Sequence, residues 1–309
     1  MKSRNIAIAD LGGHDLSLPM IEHGSGRPEV LIINNLHGNE ITGFYVLDAL
    51  LRELPNSIQG RLRIIPCANL LGLVAKQRAN PLDGADLNRG FPPSDKERGV
   101  QAAIKRVLLE LSGSAQVLID LHTFTRPSLS AVLRLPHPPK QSRTLERCLA
   151  VLNVETVIDI PDNFEERPVQ SALGFALVQK GVTVIPIEFP PAHCVKDNAE
   201  IESFAAGLLS ALAELGLMKK IVKREQHVPP SFLRQQVISD ASGLFLPTAT
   251  LRQSVMVGDV LGFLIHPRSV TKTPVVSPYR GMLFELAQRQ MIVFGDKIAT
   301  VARSSGSKA

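Results

Sequence analysis

Apolar and polar positions follow two different rhythms along this chain. Through the first two-thirds, short continuous apolar runs alternate with segments whose apolar residues recur at helical spacing. This is the pattern of buried strands and amphipathic helices. Val30–Asn34, Leu62–Pro66, Val117–Leu121, Ala131–Leu135 and Thr183–Ile187 read as strands. Ile41–Leu54, Glu97–Leu111, Leu145–Leu152, Ser171–Lys180 and Ala199–Leu215 read as helices. In Glu97–Leu111, the residues Val100, Ile104, Val107, Leu108 and Leu111 share one face, as an amphipathic helix requires. The alternation predicts an α/β layer fold around a largely parallel or mixed sheet. No element is assigned before Val30.

The rhythm changes after Lys219–Arg224. From about Val237 to Val301 the chain has short β-like runs, Gly-Asp turns and no helical pattern. An internal repeat runs through it. Gly243-Leu244-Phe245 precedes Val257-Gly258-Asp259-Val260, and Gly281-Met282-Leu283 precedes Phe294-Gly295-Asp296-Lys297-Ile298. Each Gly-Asp predicts a tight hairpin turn, because glycine allows positive φ and aspartate bonds to local backbone. The expected organisation is an α/β domain over 1–224 and a small all-β domain, barrel- or sandwich-like, over 225–309.

Composition adds bounds. The 309 residues are 44% hydrophobic and 20% charged, which suits a globular protein with a sizeable core. No apolar run approaches the ~18 residues that span a bilayer, and Ile6–Ala9 is too short for a signal-peptide core. No membrane partner and a cytoplasmic location are therefore expected. Cys67, Cys148 and Cys194 are far apart, with neither a disulfide framework nor zinc-thiolate spacing. The formal charge is +5, but the chain has no Lys/Arg block with interleaved aromatics, so no nucleic-acid partner is expected. The cluster Lys219, Lys220, Lys223 and Arg224 reads as a solvated face. The surplus of arginine suits a small anionic substrate.

Four segments carry candidate chemistry. Asn35-Leu36-His37-Gly38-Asn39-Glu40 follows the first apolar strand. A turn at Gly38 can bring His37 and Glu40 onto one metal ion, although the pair alone equally describes a His–Glu hydrogen bond at a helix start. Asp120-Leu121-His122-Thr123 ends another apolar strand. His122 would then project at the same sheet edge, where open α/β sheets place ligands, with Asp120 free to orient an imidazole. In Asp83–Pro92, Asn88 and Arg89 could grip a carboxylate, and Arg78 just before them could polarise a carbonyl. Glu188 ends the apolar strand Val184-Ile185-Pro186-Ile187. A carboxylate there must be exposed, paired or used, and it is the candidate general base. Glu165 and Glu166, before Pro168, are the alternative carboxylates for that task.

Together these segments resemble the succinylglutamate desuccinylase/aspartoacylase family, relatives of the zinc carboxypeptidases. The His-Gly-Asn-Glu, Asp-Leu-Asn-Arg-x-Phe-Pro and Asp-Leu-His-Thr motifs occur in order over roughly the first 220 residues. The resemblance implies a zinc carboxypeptidase-like mixed-sheet α/β domain followed by a small barrel-sandwich-like β domain. It implies one Zn²⁺ per chain on His37, Glu40 and His122, and Arg78 polarising the scissile carbonyl. Asn88 and Arg89 would hold a substrate carboxylate, joined by Arg126 of His-Thr-x-x-Arg, and Glu188 would act as catalytic base. The implied activity is hydrolysis of the amide of an N-acyl amino acid or a related small carboxylate-bearing amide. A metallocarboxypeptidase acting on short peptides is the alternative. Two departures stand out. Phe91-Pro92-Pro93 replaces the usual Phe-Pro-Gly, and Glu188 is followed by Phe189-Pro190-Pro191, without the glycine that often follows the catalytic glutamate.

Overall fold

The computed structural model of the chain describes residues 1–161, 170–219 and 228–304. Glu165, Glu166, Lys220, Lys223, Arg224 and the expected boundary at 224/225 lie outside the described residues. The strands are β1 (Lys2–Asp10), β2 (Asp15–Ser25), β3 (Glu29–Asn34), β4 (Gly60–Ile65), β5 (Val117–Thr123), β6 (Ala131–Arg134), β7 (Thr156–Asp159) and β8 (Thr183–Phe189). Between them lie helices α1 (Thr42–Glu53), α2 (Leu70–Ala75), α3 (Val100–Gly113), α4 (Pro139–Leu149) and α5 (Leu173–Val178), with α6 (Asn198–Glu214) following β8. The C-terminal strands are β9 (Ser231–Ile238), β10 (Gly243–Pro247), β11 (Ser254–Val255), β12 (Val260–Ile265), β13 (Lys272–Val276), β14 (Gly281–Leu286), β15 (Met291–Ile292) and β16 (Lys297–Ser304).

The central strands β4, β3, β5 and β8 are parallel neighbours. Both their faces are covered, so they read as continuous apolar runs. Successive side chains of β3 point to opposite faces. Val30 and Ile32 join a core with Val46 and Leu50 of α1, Leu149 of α4 and Leu208 of α6. Leu31 and Ile33 join a second core with Ile104 and Leu108 of α3 and Leu177 of α5. Among the described residues the large sheet has twelve strands in the order β1-β2-β4-β3-β5-β8-β6-β7-β9-β16-β14-β11, and it is mixed. The four C-terminal strands β13-β12-β10-β15 form a second sheet. Phe245, Leu264, Leu283, Ile292, Ile298 and Val301 pack in the core of this β domain.

Four of these elements, β1, β2, β7 and α2, were not expected. The N-terminal hairpin β1–β2 lacks an apolar run because β1 is largely exposed, and in β2 the buried residues are only Leu18, Met20 and His23. The four-residue strand β7 bridges the two domains, since it pairs in parallel with β9 at Val157↔Ser231 and Ile158↔Phe232. The one-and-a-half-turn helix α2 is set by a cap, with Asn69 accepting from the Gly72 amide at 3.0 Å.

The repeated Gly-Asp turns form as expected locally. Gly258 and Gly295 have φ of 92° and 88°. Asp259 and Asp296 each accept from the amide three residues back, at 2.8 Å in both. They are not hairpin turns, however. The first leads from β11 in the large sheet to β12 in the small one, and the second from β15 back to β16. Each turn carries the chain between sheets because the strands flanking it pair with other partners.

Candidate metal centre

The site forms where parallel strands end together. Asn34 of β3 lies opposite Leu121 of β5, and His122 lies opposite Glu188 of β8. The loop past β3 carries His37 and Glu40, and its course is tied by side-chain amides. Asn35, at φ 63°, donates from Nδ2 to the carbonyls of His37, Gly38 and Glu40 at 2.9, 3.2 and 3.0 Å. Asparagine tolerates this left-handed backbone better than most residues do. Asn69 Nδ2 donates to the carbonyl of Leu36 at 3.2 Å, and the Gly38 amide donates to the carbonyl of Arg78, also at 3.2 Å. Gly38 is required for a steric reason: a Cβ there would lie 2.0 Å from the carbonyl carbon of Gly72 in α2.

His37, Glu40 and His122 are 3%, 4% and 5% exposed, and their ligand-capable atoms all lie within 4.8 Å of one another. The Nδ1 of His37 is 2.6 Å from Glu40 Oε1, and the Nδ1 of His122 is 2.9 Å from Glu40 Oε2. Each ring turns its other nitrogen to a second carboxylate. His37 Nε2 is 3.1 Å from Asp86 Oδ1, and His122 Nε2 is 3.0 Å from Asp120 Oδ2. A carboxylate on Nε2 holds the proton there and leaves the Nδ1 lone pair for a cation. Asp120 thus takes the orienting position that its sequence context suggested.

Burial alone would raise the Glu40 carboxyl, but the two imidazoles outweigh it and hold the group well below the usual carboxylate range. Burial alone would lower His122, yet Asp120 and Glu40 push it well above an ordinary histidine. Without a metal, the two carboxylates favour the protonated ring of His122, whose charge would balance theirs. The same donors fit a single metal ion, which would take over that balance.

The cavity at this cluster is about 300 Å³ and includes Arg78, Asn88, Arg89 and Glu188 in its wall. Arg78 Nε donates to Asp86 Oδ2 at 3.0 Å and its Nη1 to Glu40 Oε1 at 3.2 Å. Asn88 is fixed through Oδ1, which accepts from the Leu173 amide at 3.0 Å. Burial pushes the Glu188 carboxyl up to about 7, against the opposing pull of His122. Arg126 is not in the wall.

Sequence reasoning passed over two groups here. Asp86 lies inside the Asp-Leu-Asn-Arg segment, where its carboxylate beside a candidate grip was the available signal. Arg234, Gln236, Glu285 and Lys297 come from the β domain and line the same cavity, with no motif to mark them.

Residues 26–215 match the succinylglutamate desuccinylase/aspartoacylase catalytic domain. The chain is 34% identical over 113 residues to an N-alpha-acetyl-L-2,4-diaminobutyric acid deacetylase of Halomonas elongata, a stretch covering 35% of this chain and 32% of that protein. Among solved structures, it resembles the product-bound ectoine utilization protein EutE (DoeB) of Ruegeria pomeroyi. The TM-score is 0.83 at 18% identity, covering 96% of this chain and 93% of that one. A succinylglutamate desuccinylase/aspartoacylase from Rhodobacter sphaeroides gives a TM-score of 0.81 at 18% identity, covering 98% and 94%. At such identities the structural matches show a shared fold. With most of the α/β domain covered by the family match, this chain belongs to the succinylglutamate desuccinylase/aspartoacylase family.

Proposed function

We propose that this protein is a zinc-dependent hydrolase that cleaves the amide of an N-acyl amino acid or a related small carboxylate-bearing amide. The observation that carries the reading is the convergence of His37, Glu40 and His122 within 4.8 Å, beside Glu188 in the same cavity. Two histidines and a glutamate are a zinc set that leaves a position open for chemistry. The name of the Halomonas relative, a deacetylase of an N-acetylated amino acid, supports the substrate class.

His37, Glu40 and His122 would hold the ion. Zinc in such a set acts as a Lewis acid and brings the pKa of water from 15.7 to about 7. Glu188 takes the proton of the attacking water and returns it to the leaving amine. Arg78 donates to the carbonyl oxygen as negative charge develops there. Asn88 and Arg89 hold a substrate carboxylate, which fixes the carbonyl for attack.

The test combines metal analysis with a substrate panel. Purified protein should carry close to one zinc per chain, and His122→Ala should lose it. Metal-loaded protein should release amine from at least one N-acyl amino acid, and more slowly from dipeptides. Metal-loaded protein that cleaves no amide in the panel overturns the hydrolase reading. Faster cleavage of dipeptides overturns the substrate class.

A further inference from the structure

Lys105 follows Ile104 directly in α3, and a lysine on such a helix is almost always exposed unless it is paired. Here it is 5% exposed. Its Nζ donates to Glu97 Oε1 at 3.0 Å and lies 6.0 Å from the centre of the Phe91 ring. A Cβ on Gly90 would lie 3.3 Å from the same nitrogen. A buried ammonium is costly without a partner. Glu97 supplies the partner, and the Phe91 ring lies at the outer reach of a cation–π contact. The Nζ atom therefore joins two points of one loop, Gly90–Phe91 and Glu97, and fastens both to α3. Arg106 in the same helix adds to the second point, donating from Nη2 to the carbonyls of Ser94 and Glu97 at 3.0 and 2.6 Å.

Gly90 and Phe91 directly follow Asn88 and Arg89. A second hold on this turn comes from the segment that leads into α5. The Gly90 amide donates to Ser171 Oγ at 3.1 Å, and the Phe91 amide donates to the Ser171 carbonyl at 2.7 Å. The turn is thus tied to two helices, while Asn88 and Arg89 reach the cavity that holds the metal cluster. Lys105 is not in the cavity wall, so any influence on a bound molecule passes through the loop.

We propose that Lys105 is a positioning residue. With Glu97 it fixes the Gly90–Phe91 turn, and thereby the grip of Asn88 and Arg89 on the substrate carboxylate. The inference rests on the grip assigned under the hydrolase reading and deepens it. A grip that is ordered before the substrate arrives has less freedom to lose on binding. Loosening it weakens ground state and transition state alike, which raises KM and leaves kcat unchanged.

Two readouts separate this role from plain stability, and one of them needs no turnover. The amides of Asn88, Arg89, Gly90 and Phe91 all donate within the protein, so their hydrogen exchange reports on the order of the loop. In metal-loaded Lys105→Met these four amides should exchange at least tenfold faster than in wild type, with the rest of the α/β domain unchanged. Glu97→Gln, which keeps the lysine and removes its anchor, should speed the same amides. On the N-acyl amino acid that wild type cleaves best, Lys105→Met should raise KM at least tenfold, with kcat within twofold. Unchanged exchange at 88–91, or equal acceleration throughout the domain, overturns the proposal. So does an unchanged KM. If Lys105→Met does not fold, Glu97→Gln decides by the same criteria. If no N-acyl amino acid is cleaved, the hydrolase reading fails instead, and the exchange measurement alone decides whether Lys105 fixes the loop.

Discussion

At the scale of single residues, the site is a set of carboxylates given different tasks by their surroundings. Glu40 is held ionised by two imidazoles, while burial pushes Glu188 up to about 7, the region where a general base works best. A base must be deprotonated to act, so activity should rise with pH through the Glu188 value, which a bound cation would draw below 7. Glu188→Gln should lower kcat by roughly 10²–10⁴ with metal content unchanged, and the acid limb of the pH–rate profile should vanish. Wild-type turnover in that variant would move the base elsewhere. Asp86 has a different task. It touches both His37 and Arg78, so Asp86→Asn loosens the ring and its tautomer together. Zinc affinity should weaken by roughly 10–100-fold, the usual effect of losing such a partner. Competition with a chelator measures it, and unchanged affinity would remove Asp86 from the metal's support.

At the scale of elements, the metal loop depends on close backbone approach. The His37–Glu40 loop passes against α2 with no room for a side chain at position 38. Gly38→Ala should therefore destabilise the fold by about 1–3 kcal/mol, the range for overpacking, and should lower metal content as the loop is displaced. Thermal melts with zinc analysis test this. A melting temperature and zinc content equal to wild type would show that the loop and α2 can part freely. The central strands contribute registration. Because β3, β5 and β8 run parallel with matched ends, His37, His122 and Glu188 reach one place without any long loop.

At the scale of the molecule, the metal and the proton compete for the same trio. In metal-free protein His122 has a raised pKa. Its stabilising contribution is complete below the unfolded-state value and is lost as pH rises through the folded value. Metal displaces that proton, so apparent metal affinity grows with pH until His122 is deprotonated in the metal-free form. The gap in melting temperature between zinc-loaded and chelated protein should widen as pH rises from about 6 toward the raised His122 value. Saturating metal at ~1,000 times Kd adds about 4 kcal/mol. A gap that narrows over this range would mean that binding takes up protons, contrary to the geometry.

Much of this protein was legible in its residues because the relevant signals are local. Continuous apolar runs mark strands buried on both faces, and the helices from Thr42, Val100 and Asn198 show their periodicity directly. His37, Glu40 and His122 were readable because each lies at or just past the end of such an element. The two Gly-Asp turns also form from neighbouring residues alone. Tertiary structure decided what depends on distant partners. The exposed strand β1 exists because β2 pairs with it, and the four residues of β7 become a strand between β6 and β9. Asp86 reaches His37 across 49 positions. Lys297 enters the cavity because β16 joins the large sheet through β9. Apart from the β1–β2 hairpin, no short window of sequence contains these pairs, so only the folded chain brings them together: periodicity is a property of neighbours, whereas distant strand pairing and side-chain convergence are set by the path of the whole chain.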